Sequence, residues 1–378
     1  MSLEAWCAGQ GQPYYRLTER VDGRYVKSAI RAEEARRIEM TKIDRPAGFA
    51  GRVRDADLLP PHGFLRGQNG VVVYRGLGTR DTELAADLGR FLESADRVSM
   101  VSAEPASTSI DDECVYIGGH ANFGHFINQG LMRLSMIERI PDCSVLPIAV
   151  YDNLPGRFLD FLDLLGYPAE RRISIPADRI TRFRRAWLLS SPSYRGIGNE
   201  YFISPESVWA LKAAAARLVA PSRIRRRIFV ARADAMWRRL VNSGDVATVH
   251  DRQGFESVDF ARIPALQQIE TAMSAEILVS TLGAGSAISI FTQPDCAQIE
   301  LLPPEFSGFF GTAGFALMTG QPLARIVGRV ASVAEIEAAG LVANPGAIPR
   351  DQDFVADCRD LDSVLSAAVN HCARRRAD

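Results

Sequence analysis

The sequence predicts an α/β protein made of two Rossmann-like parallel-sheet domains. Three observations lead there. β-forming runs alternate with amphipathic helical stretches in both halves of the chain. A passage rich in Gly, Ser, Pro and Tyr, "SPSYRGIGNEYFISP" at 191–205, separates the halves. The length of 378 residues also exceeds what one hydrophobic core usually organises. We therefore place an N-terminal domain at 1–195 and a second domain at 204–345. Residues 346–378 are expected to form a C-terminal helical segment that packs back on the N-terminal domain.

Residues 1–70 read as irregular, with Pro and Gly punctuation and one helical stretch at Ile30–Met40. "VVVYRG" (71–76) reads as a strand and "DTELAADLGRFLESA" (81–95) as an amphipathic helix. Alternation then sets in: "CVYIGG" strand, "FGHFINQGLMRLSMIERI" helix, "SVLPIAVYD" strand, "GRFLDFLDLLG" helix, "RAWLLSS" strand. In the second half, Ser204 is a candidate N-cap, with Pro205 at the first helical position of "PESVWALKAAAARLVA". "RIFVAR" (227–232) follows as a strand, "SGDVATVHDRQ" as a helix and "FESVDF" as a strand. "IPALQQIETAMSA" is a helix, "EILVST" (276–281) a strand, and "AQIELL" (297–302) a further strand after a glycine turn and its helix. "LDSVLSAAVNHCARRR" closes the chain as a helix whose terminal arginines suit its dipole.

Composition narrows the function. Apolar residues make up 47% and charged residues 24%, the profile of an ordinary soluble protein. A net charge of −1 argues against general nucleic-acid binding. Arginine carries nearly all the positive charge, lysine standing only at Lys27, Lys42 and Lys212, which suggests a GC-rich, bacterial coding bias. Six scattered cysteines without a C-x-x-C pair suit a reducing compartment and oppose a zinc ribbon. The first residues lack the pattern of a signal peptide, and no long uncharged apolar run is present. A cytoplasmic location is expected.

Three constellations offer chemistry. In "GGHANFGHFINQGLMRL" (118–134) a strand runs through glycines into a helix, so Asn122 to His125 stand at the carboxyl edge of a parallel sheet, where such folds bind ligands. Asn122 suits an N-cap. His125, in the first helical turn, would have its cation disfavoured by the helix dipole and so act as a neutral base. His120 and His125 are five apart, a poor helical spacing for two metal ligands, and no carboxylate lies close; no metal is expected. The second constellation is "SRIRRRIFVARADAMWRRL" (222–240), with seven arginines. Arg232 ends a strand there, and Arg238 and Arg239 follow one loop-length on. Guanidinium forks match phosphate oxygens, while a solvated surface face is the simpler alternative. The third is the turn Gly283-Ala284-Gly285-Ser286, between a strand and a helix, whose successive N–H groups suit an anion. It lacks the lysine of a P-loop and the third glycine of a dinucleotide fingerprint. Asp-x-Asp triplets at 55–57, 351–353 and 360–362 follow no buried strand, which disfavours a metal-dependent sugar transferase of single-domain type.

The order of these motifs resembles glycosyltransferase family 61. "NFGHFINQGLMRL" (122–134) is similar to that family's Asn-x-x-His-aromatic-x-x-Asp/Glu-x-Leu-x-Arg-Leu, matching at Asn122, His125 and Arg133. "FVARADAMWRRLVN" resembles its Ser-Arg … Arg-Arg-x-x-Asn block, at Arg232, Arg238, Arg239 and Asn242. "QGFESVDF" and the stretch from "QQIETAMSAEILVSTLGAGS" to "AQIELLPP" resemble its later succession through His-Gly-Ala-Gly to Ile-Glu. The resemblance implies a GT-B architecture, a nucleotide-sugar donor (a UDP-sugar) in the second domain, and inverting transfer without metal or other cofactor. It also implies an acceptor hydroxyl on a glycan or lipid-linked glycan of a bacterial surface polysaccharide, reached at the inner membrane face through peripheral association. Two positions depart. The family's Asp/Glu is Gln129, which cannot take a proton, so His125 and then His120 are the candidate bases. Its His before Gly-Ala-Gly is Leu282, so donor binding would lean on Arg232, Arg239 and the 283–286 backbone. The same departures make a non-catalytic binding relative the alternative, with an unrelated α/β enzyme of a phosphorylated ligand behind it.

Overall fold

The computed structural model describes residues 3–18, 21–23, 43–45, 48–59, 64–67, 72–73, 105–195, 201–220, 224–232, 235–307, 311–344 and 346–377. The expected helices at 30–40 and 81–95 lie outside these residues. So does most of the expected strand at 71–76. The chain divides into two compact units, Met1–Gly23 with Lys42–Ser207, and Arg24–Thr41 with Val208–Asp378.

The first unit holds β1 (Tyr14–Thr18), β2 (Val21–Gly23), β3 (Ile43–Arg45), β4 (Gly48–Leu59), β5 (Phe64–Arg66), β6 (Val72–Val73), β7 (Thr108–Ile110) and β8 (Cys114–Gly118). It continues with β9 (Ile148–Tyr151), β10 (Arg172–Ile175), β11 (Thr181–Leu189), β12 (Ser193–Arg195) and β13 (Tyr201–Ile203). Nine strands form one sheet along β10-β9-β8-β11-β4-β5-β6, with β1 on β4 and β7 on β11; β2 pairs with β3 and β12 with β13. The β10-β9-β8-β11 run is parallel, as is β7 on β11, but β4 joins β11 antiparallel, as do β5, β6 and β1 beyond it. This half is therefore a mixed sheet, which corrects the expectation of a wholly parallel one.

The antiparallel part comes from a stretch read as irregular. In β4, "GFAGRVRDADLL", buried Val53, Ala56 and Leu58 stand among charges that find partners: Arg52 with Glu113, Asp55 with Arg184, and Asp57 with Arg66 and Arg182. Pairing of this kind lets a charge-rich sequence serve as an inner strand. The helix Leu3–Gly9 covers β4 with Leu3, Trp6 and Cys7, all in the same core as Tyr116, Tyr151 and Phe183.

The second unit holds β14 (Arg226–Val230), β15 (Glu256–Val258), β16 (Ala275–Thr281), β17 (Ala297–Leu302) and β18 (Leu323–Val327), in the order β15-β14-β16-β17-β18. Every pairing is parallel. Counted within the unit, the order is 2-1-3-4-5, a doubly wound sheet whose chain direction switches between β14 and β16. β19 (Arg329–Val330) and β20 (Phe354–Val355) form a separate pair. The fully buried runs of β16 and β17 reflect helices on both faces of the sheet. One cover is the C-terminal helix Cys358–Ala377. Its Leu361, Leu365, Ala368 and Cys372 join Ile277, Val279 and Ile299 in this unit's own core. An apolar stripe at i, i+4, i+7 needs the nearest apolar sheet, and here that sheet is its own.

His250, on the helix Ser243–Arg252, is only 2% exposed; it stacks on Phe229 with ring centroids 4.3 Å apart and meets Phe255 edge-on at 5.2 Å. Burial pushes its pKa down from 6.5 to about 4. The folded state thus resists a proton that the unfolded chain accepts, so stability rises with pH between about 4 and 6.5 and this contribution levels off above. The full span is worth about 3 kcal/mol. Urea unfolding at pH 4.5 and 7.5 should show that His250→Leu narrows the stability difference between the two pH values; an unchanged difference refutes the assignment.

Candidate functional site

The first sheet-edge turn is built by glycine. β8 is buried throughout, and its register against β9 shifts between Tyr116 and Gly118. Gly118 and Gly119 then take φ of +69° and +136°. A Cβ on Gly118 would stand 2.7 Å from the Tyr116 hydroxyl, which donates to Tyr151 at 2.9 Å. Only glycine turns the chain there at low cost. The turn delivers His120 and Asn122. Asn122 caps the next helical turn as expected: its Oδ1 accepts the His125 amide at 3.3 Å. The Asn122 amide in turn donates to Nδ1 of His120 at 2.9 Å, so a neutral His120 carries its proton on Nε2. The two exposed imidazoles lie with ring centroids 4.7 Å apart. The sequence predicted both, but not that they would form a pair.

The helix that follows is not uniform. After one α turn at Phe123–His125 the chain takes a π turn at Phe126–Gly130, a 3₁₀ turn at Leu131–Arg133 and an α turn at Leu134–Ile137. Such widened turns gather at functional sites. Gln129 sits half-buried in the π turn. Arg133, 1% exposed, donates from its guanidinium to the Ile117 carbonyl at 2.7 Å, which ties the helical run to β8. Its place is structural support beneath the turn. Phe123 and Phe126 pack on Phe158, with centroids at 5.4 and 4.9 Å, and hold the run against the helix Gly156–Leu164.

The second sheet-edge turn lies at the switch point of the second unit. Arg232 follows β14 and the glycine turn follows β16, so the strand order brings the two motifs together. Nη1 of Arg232 donates to the Leu282 carbonyl at 2.8 Å, and Nη2 to the Trp237 carbonyl at 3.5 Å. Gly283 lies directly beneath this guanidinium: a Cβ there would come within 2.5 Å of Cζ. Its φ of 167° is ordinary extended backbone, so contact, and not conformation, demands the missing side chain. The helix expected after it is a 3₁₀ helix, Ala284–Phe291. Hydroxyl groups tighten it by bonding three residues back, Ser286 to Gly283 at 2.6 Å and Thr292 to Ser289 at 2.8 Å. Gly283, Ala284 and Gly285 are half-buried, and the first amides of a helix point outward along its axis. A guanidinium beside such amides gathers positive charge at the turn, chemistry suited to a phosphate oxygen.

Beneath the turn lies a chain of buried groups that sequence reading missed. The Ser286 hydroxyl meets that of Thr312 at 2.7 Å, Thr312 donates to Glu300 at 3.3 Å, and Glu300 accepts Arg325 at 2.9 Å. Glu300 and Arg325 form a buried ion pair, with side chains 4% and 5% exposed. Nothing in the local sequence around Thr312 or Arg325 marks them, because the contacts cross strands and loops.

The remaining predicted residues do not join this turn. Arg239 grips Asp353 with its backbone amide at 2.8 Å and its Nε at 3.1 Å, and reaches the Val342 carbonyl. Asn242 clamps Ala356 at two points, accepting its amide at 3.0 Å and donating to its carbonyl at 2.9 Å. Both residues anchor the segment that enters the C-terminal helix. Arg238, at φ +54°, lies 3.8 Å from Asp351 and 5.3 Å above the Phe306 ring. Arg225, Arg226 and Arg227 pair with Asp295, Glu256 and Glu276, so most of the arginine-rich run is ion-paired surface. Leu282 is 5% exposed and contributes its carbonyl to Arg232. Among the described residues no group of three or more His, Cys, Asp and Glu side chains stands close enough to hold a metal ion.

Arg239→Ala should cost on the order of 3 kcal/mol in unfolding experiments, since it strands the Asp353 carboxylate. Gly283→Ala displaces only the end of a flexible side chain, so its melting temperature should hold. Pyrophosphate affinity, followed by calorimetry, should then fall roughly 10- to 100-fold, as for one lost hydrogen bond to a charged group. Unaltered affinity in Gly283→Ala would remove the turn as an anion site.

No curated protein matches the chain. The family model described as Glycosyltransferase 61 matches residues 123–299, just under half of it. The matched segment takes in His125, Gln129, Arg133, Arg232, Asn242 and the 283–286 turn. That segment, which carries both sheet-edge turns, is similar to glycosyltransferase family 61.

Proposed function

We propose that this glycosyltransferase is an inverting, metal-independent enzyme of GT-B type. It moves a sugar from a UDP-sugar to a hydroxyl on a glycan or lipid-linked glycan of a bacterial surface polysaccharide. The contact of Arg232 with Gly283 carries the reading. Transfer needs a site that stabilises a departing nucleoside diphosphate; a fixed guanidinium and helix-start amides supply positive charge without a cation. His125 takes the acceptor proton as the acceptor oxygen attacks the anomeric carbon, and the bond from that carbon to the phosphate oxygen breaks on the opposite face. His120 and Asn122 position His125. The enzyme works in the cytoplasm, at the inner membrane face; among the described residues no helix is long and apolar enough to cross a membrane.

Gln129 and Leu282 favour a second reading, a relative that binds the nucleotide sugar without turning it over. One experiment decides. UDP at 100-fold its dissociation constant should stabilise the protein by about 2.7 kcal/mol in a thermal melt. Hydrolysis of a UDP-sugar without acceptor should be lost in His125→Ala. Stabilisation without hydrolysis selects the binding relative, and no stabilisation by any nucleoside diphosphate overturns both readings.

A further inference from the structure

The loop that links Arg232 to Arg238 displays two adjacent large apolar side chains, Met236 at 75% and Trp237 at 39% exposure. Of the four tryptophans, Trp6 and Trp187 are buried, Trp209 lies exposed on the helix Pro205–Leu218, and Trp237 stands at the switch point. An indole on the surface is unusual because its area is costly to leave in water. Its backbone is held from both sides. The Trp237 carbonyl accepts Nη2 of Arg232, and the next residue, Arg238, turns into the left-handed region with its amide donating to the Asp351 carbonyl at 3.3 Å. Asp351 also faces the Arg238 guanidinium, which covers Phe306. A left-handed non-glycine residue persists only where its surroundings hold it. The backbone at Trp237 and Arg238 is therefore set in place before any ligand arrives, one residue contact from the guanidinium on Gly283.

We propose that Trp237 is the stacking platform for the nucleobase of a nucleoside diphosphate whose phosphates lie against the outer side of Arg232 and the 283–286 turn. The proposal rests on the donor-site reading above and adds the residue that distinguishes a nucleotide from a bare diphosphate. Every base offers a π-face to an indole, and such stacking strengthens binding by roughly 5- to 100-fold. Arg232 links the two halves of the site, with Nη1 on the turn and Nη2 on the tryptophan's own peptide.

The test compares UDP with inorganic pyrophosphate by calorimetry on the full chain, in wild type, Trp237→Ala, Trp237→Phe and Arg232→Ala. UDP should bind wild type at least fivefold more tightly than pyrophosphate. Trp237→Ala should erase that advantage and leave pyrophosphate affinity within twofold, while Trp237→Phe keeps most of it. Quenching of tryptophan fluorescence by UDP should vanish in Trp237→Phe. If Trp237→Ala retains the preference for UDP, or weakens both ligands equally, the platform is refuted while the anion site stands. If wild type binds neither ligand, or Arg232→Ala binds both as wild type does, the donor-site reading falls and the platform with it.

Discussion

A guanidinium packed against a glycine joins the two loops at the second sheet edge. Arg232 reaches across from the end of β14 to the end of β16, along a path that a side chain at residue 283 would displace. Parallel strands with a switch in direction leave a crevice at their carboxyl ends, and here two loops meet in it. The arginine bonds a carbonyl from each. The same side chain thus shapes the crevice and lends it positive charge. Ser286, Thr312, Glu300 and Arg325 fix the turn from below, so the charge sits on a rigid floor.

Rigidity on the other unit has a different source. There the turn after β8 is set by two glycines in conformations that other residues resist, and by an arginine buried under the helical run. Phe126 and Arg133 both face inward from the helical run that follows. Both turns thus depend on packing beneath them.

Much of this was legible in the sequence. The alternating runs located β14, β16 and β17, because strands buried on both faces read as continuous apolar segments. The cap at Asn122 followed from residue chemistry, and the placing of Arg232 alongside the glycine turn from that chemistry and the family resemblance. Other features were hidden. β4 disguised itself, since its charges are cancelled by partners as distant in sequence as Arg182. Arg239 and Asn242 looked like ligand groups because their partners, Asp353 and Ala356, lie more than a hundred residues on. An arginine's sequence neighbours do not reveal which acid it will meet. The Asp-x-Asp triplet at 351–353 likewise turns out to face arginines.

The clamp between Asn242 and Ala356 reaches beyond local structure. It joins the segment matched by the family model to a tail outside it, and that tail supplies Leu361, Leu365 and Ala368 to the sheet's interior. β18, the sheet's outermost strand, also falls past residue 299. The matched portion, 123–299, is consequently not an excisable module. Shortened at its matched boundary, it would expose the apolar flank of β16 and β17, and the crevice would lose the wall on which its loops are hung.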